Sequence, residues 1–311
     1  MHVVSVMNYK GGVGKTTLTA NLAAEIANGG YRVLMIDLDP QANLTFSFYT
    51  VDDWTNDLRE TRTIKRWYDG DLPGRDITLD QLILTPGRVN DRVKQSSGQL
   101  DLIASHLGLI DIDLQLASRL GGTTLAESKR KFLQVHGCLA GALRAPAFRD
   151  YDVILIDCAP NFGLVTKTAI VASDFVLVPA KPDYLSTLGI GYLAGSVHKL
   201  ADEFNAYVAH GSPGGMGAIT PKFAGVVFTM TQIQAGKPIL LQRAQMSEVQ
   251  EVGVMPIFKS SVRNSPRYFA EAGPSGVPAV LHGPLNDPVS AELRALTEEF
   301  VTAIAGGKSD S

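Results

Sequence analysis

Short apolar runs alternate with stretches of helical periodicity along most of the chain. Val3-Val4-Ser5-Val6-Met7 reads as a buried strand that ends at a turn holding Gly11, Gly12 and Gly14. Leu18, Leu22, Ala23 and Ile26 then recur at helical spacing, and Gly29-Gly30 stops that helix. Val33-Leu34-Met35-Ile36 is a second strand, closing on Asp37. Further strands are expected at Leu100–Ala104, Val153–Ile156, Phe175–Val178, Phe223–Phe228 and Gly253–Ile257. Continuously apolar strands joined by helices call for right-handed crossovers. They predict an α/β fold, a mostly parallel sheet flanked by helices on both faces.

Residues 50–99 break this rhythm. They are polar, contain Pro73, Gly74, Pro86 and Gly87, and hold only short apolar runs, so they read as an elaborated surface insertion. Gly211-Ser212-Pro213-Gly214-Gly215 marks a second excursion, and residues 306–311 a frayed tail. Everything from 1 to 305 is then expected to form one domain. Composition agrees with a globular chain: of 311 residues, 45% are apolar and the net charge is −3, which excludes wholesale disorder and a basic coat. No apolar run approaches the roughly 20 residues of a membrane-spanning helix, and the first residues predict a strand, not a leader. Two cysteines, Cys138 and Cys158, cannot build a disulfide framework, so a cytoplasmic setting is expected.

The chemistry begins between the first strand and the first helix. Tyr9-Lys10-Gly11-Gly12-Val13-Gly14-Lys15-Thr16-Thr17 lies where backbone N–H groups and a positive helix end can gather around a phosphate. Lys15 is placed to reach β/γ-phosphates, and the Thr16 hydroxyl to ligate Mg²⁺ directly. The ordinary phosphate loop has glycine where this chain has Tyr9, and a second lysine, Lys10, follows at once. Asp37-Leu38-Asp39-Pro40-Gln41 and Asp157-Cys158-Ala159-Pro160 follow two apolar strands. Carboxylates there face the crevice in which open α/β sheets bind ligands.

The loop resembles the deviant Walker A motif of the ParA/MinD family of P-loop ATPases, nearest the Soj-like partition proteins. The resemblance covers residues 1–50 and 150–280. It implies ATP and Mg²⁺ as cofactors, held by Gly11, Gly12, Val13, Gly14, Lys15, Thr16 and Thr17. It implies catalytic roles for Lys10, Lys15 and Asp39, the last positioning the attacking water, with Asp37 and Asp157 holding Mg²⁺ through water. It further implies a homodimer in the ATP state, in which Lys10 contacts the partner's nucleotide as an arginine finger does elsewhere. The helix spanning Leu185–Leu200 then lies near the dimer face. Met230 and Pro256 become candidates to cover adenine, although core or turn packing suits both equally. The related nitrogenase iron protein holds a cluster through two cysteines per chain. Here Cys158 abuts Asp157 and Cys138 lacks ligand spacing, so a buried, inert thiol is expected.

Relatives differ in what they act on. MinD-like proteins reach the membrane through a basic terminal helix. In this chain Val289, Leu293, Leu296, Phe300 and Ile304 form an apolar stripe flanked by Glu292, Glu298 and Glu299, which anionic lipid would repel. No membrane partner is expected. ParA-like proteins bind DNA non-specifically, and Lys259, Arg263 and Arg267 form a run free of acids until Glu271. The same run also reads as a solvated basic face. The reading is a slow, Mg²⁺-dependent ATPase that partitions plasmid, chromosome or other cargo, stimulated by a ParB-like partner and associated with the nucleoid. A switch for another protein assembly is the alternative, and a metabolic enzyme with the same loop is a third.

Overall fold

The computed structural model describes residues 1–70, 77–209, 215–270, 272–282 and 286–306. Pro73 and Gly74, residues 211–214 of the second excursion and residues 307–311 of the tail lie outside this description.

Seven parallel strands form one sheet: β1 (His2–Val6), β2 (Arg32–Asp37), β3 (Gln99–Ile103), β4 (Val153–Asp157), β5 (Phe175–Ala180), β6 (Lys222–Thr231) and an edge strand, β9 (Val262–Arg263). A small antiparallel hairpin, β7 (Ile233–Gln234) and β8 (Lys237–Pro238), intervenes. The sheet order is β3-β2-β4-β1-β5-β6-β9. β1 is central, in register with β4 (Val4 opposite Leu155) and with β5 (Ser5 opposite Val176).

Side-chain alternation along each strand divides the core between the two faces of the sheet. Val4, Met35, Leu155 and Leu177 point to one side. There they meet Leu18, Leu22 and Ile26 of α1 (Lys15–Asn28) and Leu293, Leu296 and Phe300 of the last helix, α7 (Pro288–Gly306). Val3, Leu34, Ile154 and Val178 point to the other. That face is covered by α2 (Leu109–Ser118), α3 (Leu125–His136), α4 (Leu164–Ala172) and α5 (Tyr184–Val208). The stripe read at Val289, Leu293, Leu296, Phe300 and Ile304 is wholly buried.

Within 50–99, short helical turns send Ile64, Tyr68, Leu79 and Leu82 into the main core. Trp54, Leu58 and Leu84 pack as a small satellite cluster with Ala104. The strand expected at Gly253–Ile257 does not form. Gly253 instead caps α6 (Leu240–Val252) in the left-handed conformation, φ 64°, and Ile257 makes a single bridge to Val226. The segment is held because Val226 N–H donates to Pro256 O (2.8 Å) and Phe258 N–H to Val226 O (2.9 Å). Gly225 permits that approach: at φ 143° it has no Cβ, which would fall 2.9 Å from both Pro256 O and the Phe258 ring.

Candidate functional site

All the acidic and glycine-rich motifs converge at the carboxyl ends of β1, β2 and β4. Gly12 (φ 66°) and Gly14 (φ 79°) give the loop its left-handed turns, and Gly14 leads directly into α1 with no side-chain cap. Leu18 N–H is the first in α1 to find a helix carbonyl, Gly14 O at 2.9 Å. The N–H groups of Lys15, Thr16 and Thr17 are therefore the helix's unpaired positive end, an anion site by construction. Val13 is fully buried, and its carbonyl accepts the Thr229 hydroxyl at 2.7 Å, which docks the loop on β6.

Lys15 is buried, its Nζ 3.3 Å from the carbonyls of Asn8 and Lys10. Burial lowers its pKa, opposed by Asp157 and Asp39. Thr16 Oγ1 donates to Asp157 Oδ2 (2.8 Å). Asp37 and Asp157 are register neighbours, both fully buried. Asp37 accepts from Thr45 N–H (2.8 Å), Thr45 Oγ1 (2.7 Å) and Asp39 N–H (3.1 Å). Even so, burial pushes its pKa up to about 7. Burial, then the nearby Asp37, raises Asp157 well above the ordinary carboxylate range.

Two buried carboxylates with one neighbouring ammonium leave negative charge short of a cation. Asp157 Oδ1 is buried with no hydrogen-bond partner and lies on the carboxylate that Thr16 touches. An oxygen-rich set of this kind, hydroxyl plus carboxylates, suits Mg²⁺ with its retained waters. Asp39, two residues farther on, is buried, its Oδ1 accepting Gln41 N–H (2.9 Å) and its carbonyl accepting the Ser105 hydroxyl (2.7 Å).

Beside the loop, a cavity of about 260 Å³ runs between α1, β6 and the segment after β9. Gly14, Thr17, Leu18, Thr229, Met230, Asn264, Pro266 and Phe269 line it. A hollow of this size and mostly apolar lining fits one planar heterocycle. Met230 stands at the β6 bulge with φ 54°, its Cε over Gly14. Pro256 does not line this cavity; its carbonyl accepts Val226 N–H. Val262 to Pro266 and Phe269 line that wall. A larger hollow of about 590 Å³ between Trp67, Arg119 and Lys131 includes none of the loop's residues.

The cationic run also separates. Arg263 is paired with Glu292 of α7, Nε–Oε1 2.7 Å and Nη2–Oε1 2.6 Å, and lines the cavity. It is therefore not a free phosphate-binding cation, while Lys259 and Arg267 stay exposed. Cys158 is buried and burial raises its thiol pKa, leaving it protonated.

Several site residues had no sequence signal of their own. Asn8, Thr45, Ser105, Asp183 and Thr229 act through partners 8 to 216 residues away, and only their polar character next to a motif hints at them. Tyr9, where an ordinary loop has glycine, donates its hydroxyl to Ser196 of α5 (2.8 Å).

Strand-end loop, paired carboxylates and adjoining cavity define a nucleotide-binding protein of the P-loop class. The AAA domain family model matches residues 1–209, and the chain belongs to that family, alongside ParA- and Soj-type proteins. Soj, the sporulation initiation inhibitor protein of Bacillus subtilis, is 26% identical over 283 residues, 91% of each chain. An uncharacterized Mycobacterium tuberculosis protein is 32% identical over 208 residues, 65% of this chain and 54% of its own. The chain thus spans about half the length of that relative. Among solved structures, Cyanothece McdA in complex with ATP superposes with a TM-score of 0.69 at 19% identity, covering 98% of this chain and 96% of its own. Cobyrinic acid a,c-diamide synthase from Mycobacterium smegmatis, with an ATP analogue and magnesium, gives 0.67 at 21% identity, covering 99% and 97%. Both likenesses establish the fold.

Proposed function

We propose that the chain is a slow, Mg²⁺-dependent ATPase that dimerises with ATP bound and positions a cargo, as a partition protein does. The observation that carries this reading is the second lysine. Lys15 lies inside the cradle, whereas Lys10 reaches out of it to the start of α5. That helix exposes Tyr184, Leu185, Leu188 and Tyr192, an apolar rim at the same end of the sheet. Ile110 and Leu114 of α2, and Leu240 and Leu241 of α6, are exposed as well. A cation beside an unpartnered apolar face suits a site completed by a second copy.

In this reading the loop N–H groups and Lys15 hold the β/γ-phosphates, and the 260 Å³ cavity takes adenine. Thr16 would ligate Mg²⁺, with Asp37 and Asp157 holding its waters; the metal supplies positive charge where the phosphoryl group departs. Asp39 orients the attacking water, and Lys10 of one subunit offsets charge developing on the other's nucleotide.

Non-specific DNA remains the proposed track, with a ParB-like stimulating partner and a nucleoid location. Arg263 drops out of the contact, so two cations per subunit and four per dimer remain. The logarithm of affinity should then fall with the logarithm of salt at a slope of about −3.6, against about −5.4 if Arg263 contributed. A salt series of DNA binding with and without ATP reads this directly. The Arg263–Glu292 pair also favours a second reading, a switch that acts mainly on another protein assembly. ATP-dependent dimers with no affinity for DNA at low salt would choose that reading.

A further inference from the structure

The ammonium of Lys10 is engaged within its own chain. Its Nζ lies 2.8 and 2.7 Å from the two carboxylate oxygens of Asp183, across the gap between the loop and the end of β5. Two more hydrogen bonds set that placement. The buried Asn8 side chain donates to Pro179 O (2.8 Å) and accepts from Lys10 N–H (2.9 Å). It ties the backbone that carries Lys10 to the strand that leads to Asp183. Asp183 is in turn the N-cap of α5, its Oδ1 accepting Ser186 N–H at 2.9 Å. One carboxylate therefore joins the lysine outside the cradle to the helix that bears the apolar rim.

We infer that Asp183 is a positioning residue that retains Lys10 on its own subunit, and that subunit pairing must displace it. The inference rests on the ATP-dependent dimer proposed above. An ammonium seated on both oxygens of Asp183 cannot also reach a second subunit's nucleotide, so pairing exchanges one anion for another. The ion pair is partly exposed, 34% at Lys10 and 41% at Asp183, which makes the restraint weak and reversible. Each dimer releases two such pairs, so removing them should change the pairing equilibrium by about two- to thirtyfold. Asp183 keeps its cap on α5 when Lys10 leaves, so the apolar rim is already formed when two subunits meet. Weak retention of this kind disfavours pairing until a nucleotide offers the stronger anion.

Asp183→Asn separates the two roles of the residue, because asparagine caps a helix as well as aspartate does but lacks the charge. Sedimentation equilibrium with a slowly hydrolysed ATP analogue and Mg²⁺ should show the D183N dimer forming at about two- to thirtyfold lower protein concentration than wild type. Asp183→Glu should restore wild-type behaviour. In nucleotide-free protein, acylation of Lys10 by an amine-reactive reagent, read by mass spectrometry, should quicken in D183N and not in D183E. A wild-type dimer with D183N unchanged or weaker, or Lys10 acylation no faster in D183N, overturns the retention role alone. A wild type that never dimerises overturns the dimer reading, and this one with it.

Discussion

Buried carboxylates set the conditions at the residue scale. Asp37 sits in the fold with its pKa raised to about 7, chiefly by desolvation. Because the folded value lies above that of the unfolded chain, the protonated form favours folding. That contribution is full below about pH 4 and is lost as pH rises through about 7. Metal-free, nucleotide-free protein should therefore lose thermal stability across this window by more than its Asp37→Asn variant does. Mg²⁺ with ATP should offset the loss, because binding at the strand ends favours the ionised carboxylates. Differential scanning calorimetry across pH checks both; parallel profiles for wild type and D37N would remove Asp37 as the cause. The loop and both aspartates were legible in the sequence because each follows an apolar strand at a spacing that chemistry requires. Thr45 and Asn8 were not, since a hydroxyl or amide acquires its role only when the fold delivers Asp37 or Pro179 to it.

At the scale of elements, β1 to β6 followed from apolar runs, because strands buried on both faces cannot easily be anything else. The far edge did not. Val254-Met255-Pro256-Ile257 is as apolar as a strand, yet it crosses β6 with one bridge, and the paired strand is the two-residue Val262–Arg263. What decides this is Gly225, whose missing side chain lets Phe258 and Pro256 close on β6. The same arrangement sets the segment that walls the cavity. Gly225→Ala should cost about 2–4 kcal/mol through backbone strain and overpacking, read as a lower denaturation midpoint. An unchanged midpoint would mean that β6 tolerates a side chain there. The basic run misled for a related reason: Glu292, which pairs Arg263, lies 29 residues away on α7. Local composition does not register a partner brought in by tertiary packing.

For the whole molecule, the near-neutral charge and the two-faced core describe an ordinary α/β protein, and no described helix is long and apolar enough to cross a membrane. The unbalanced feature is the carboxyl end of the sheet. Tyr192 is 77% exposed and Tyr184, Leu185 and Leu188 of the same helix are exposed too, beside a site whose outer lysine is paired with Asp183. Such a face is accounted for if a second copy covers it. Tyr192→Asp combined with Leu185→Asp should then abolish pairing while leaving ATP binding within about twofold, since neither residue lines the cavity. Calorimetric titration with ATP beside light scattering distinguishes the two effects, and joint loss of both would point to misfolding instead of a lost interface.

The most direct measurement is the molar mass of wild type and of its Lys10→Ala variant with ATP and Mg²⁺, by light scattering, alongside ATP affinity. Wild type should form a nucleotide-dependent dimer, and K10A should be a monomer that still binds ATP. A K10A protein that dimerises and hydrolyses as wild type does would remove Lys10 from both subunit pairing and catalysis.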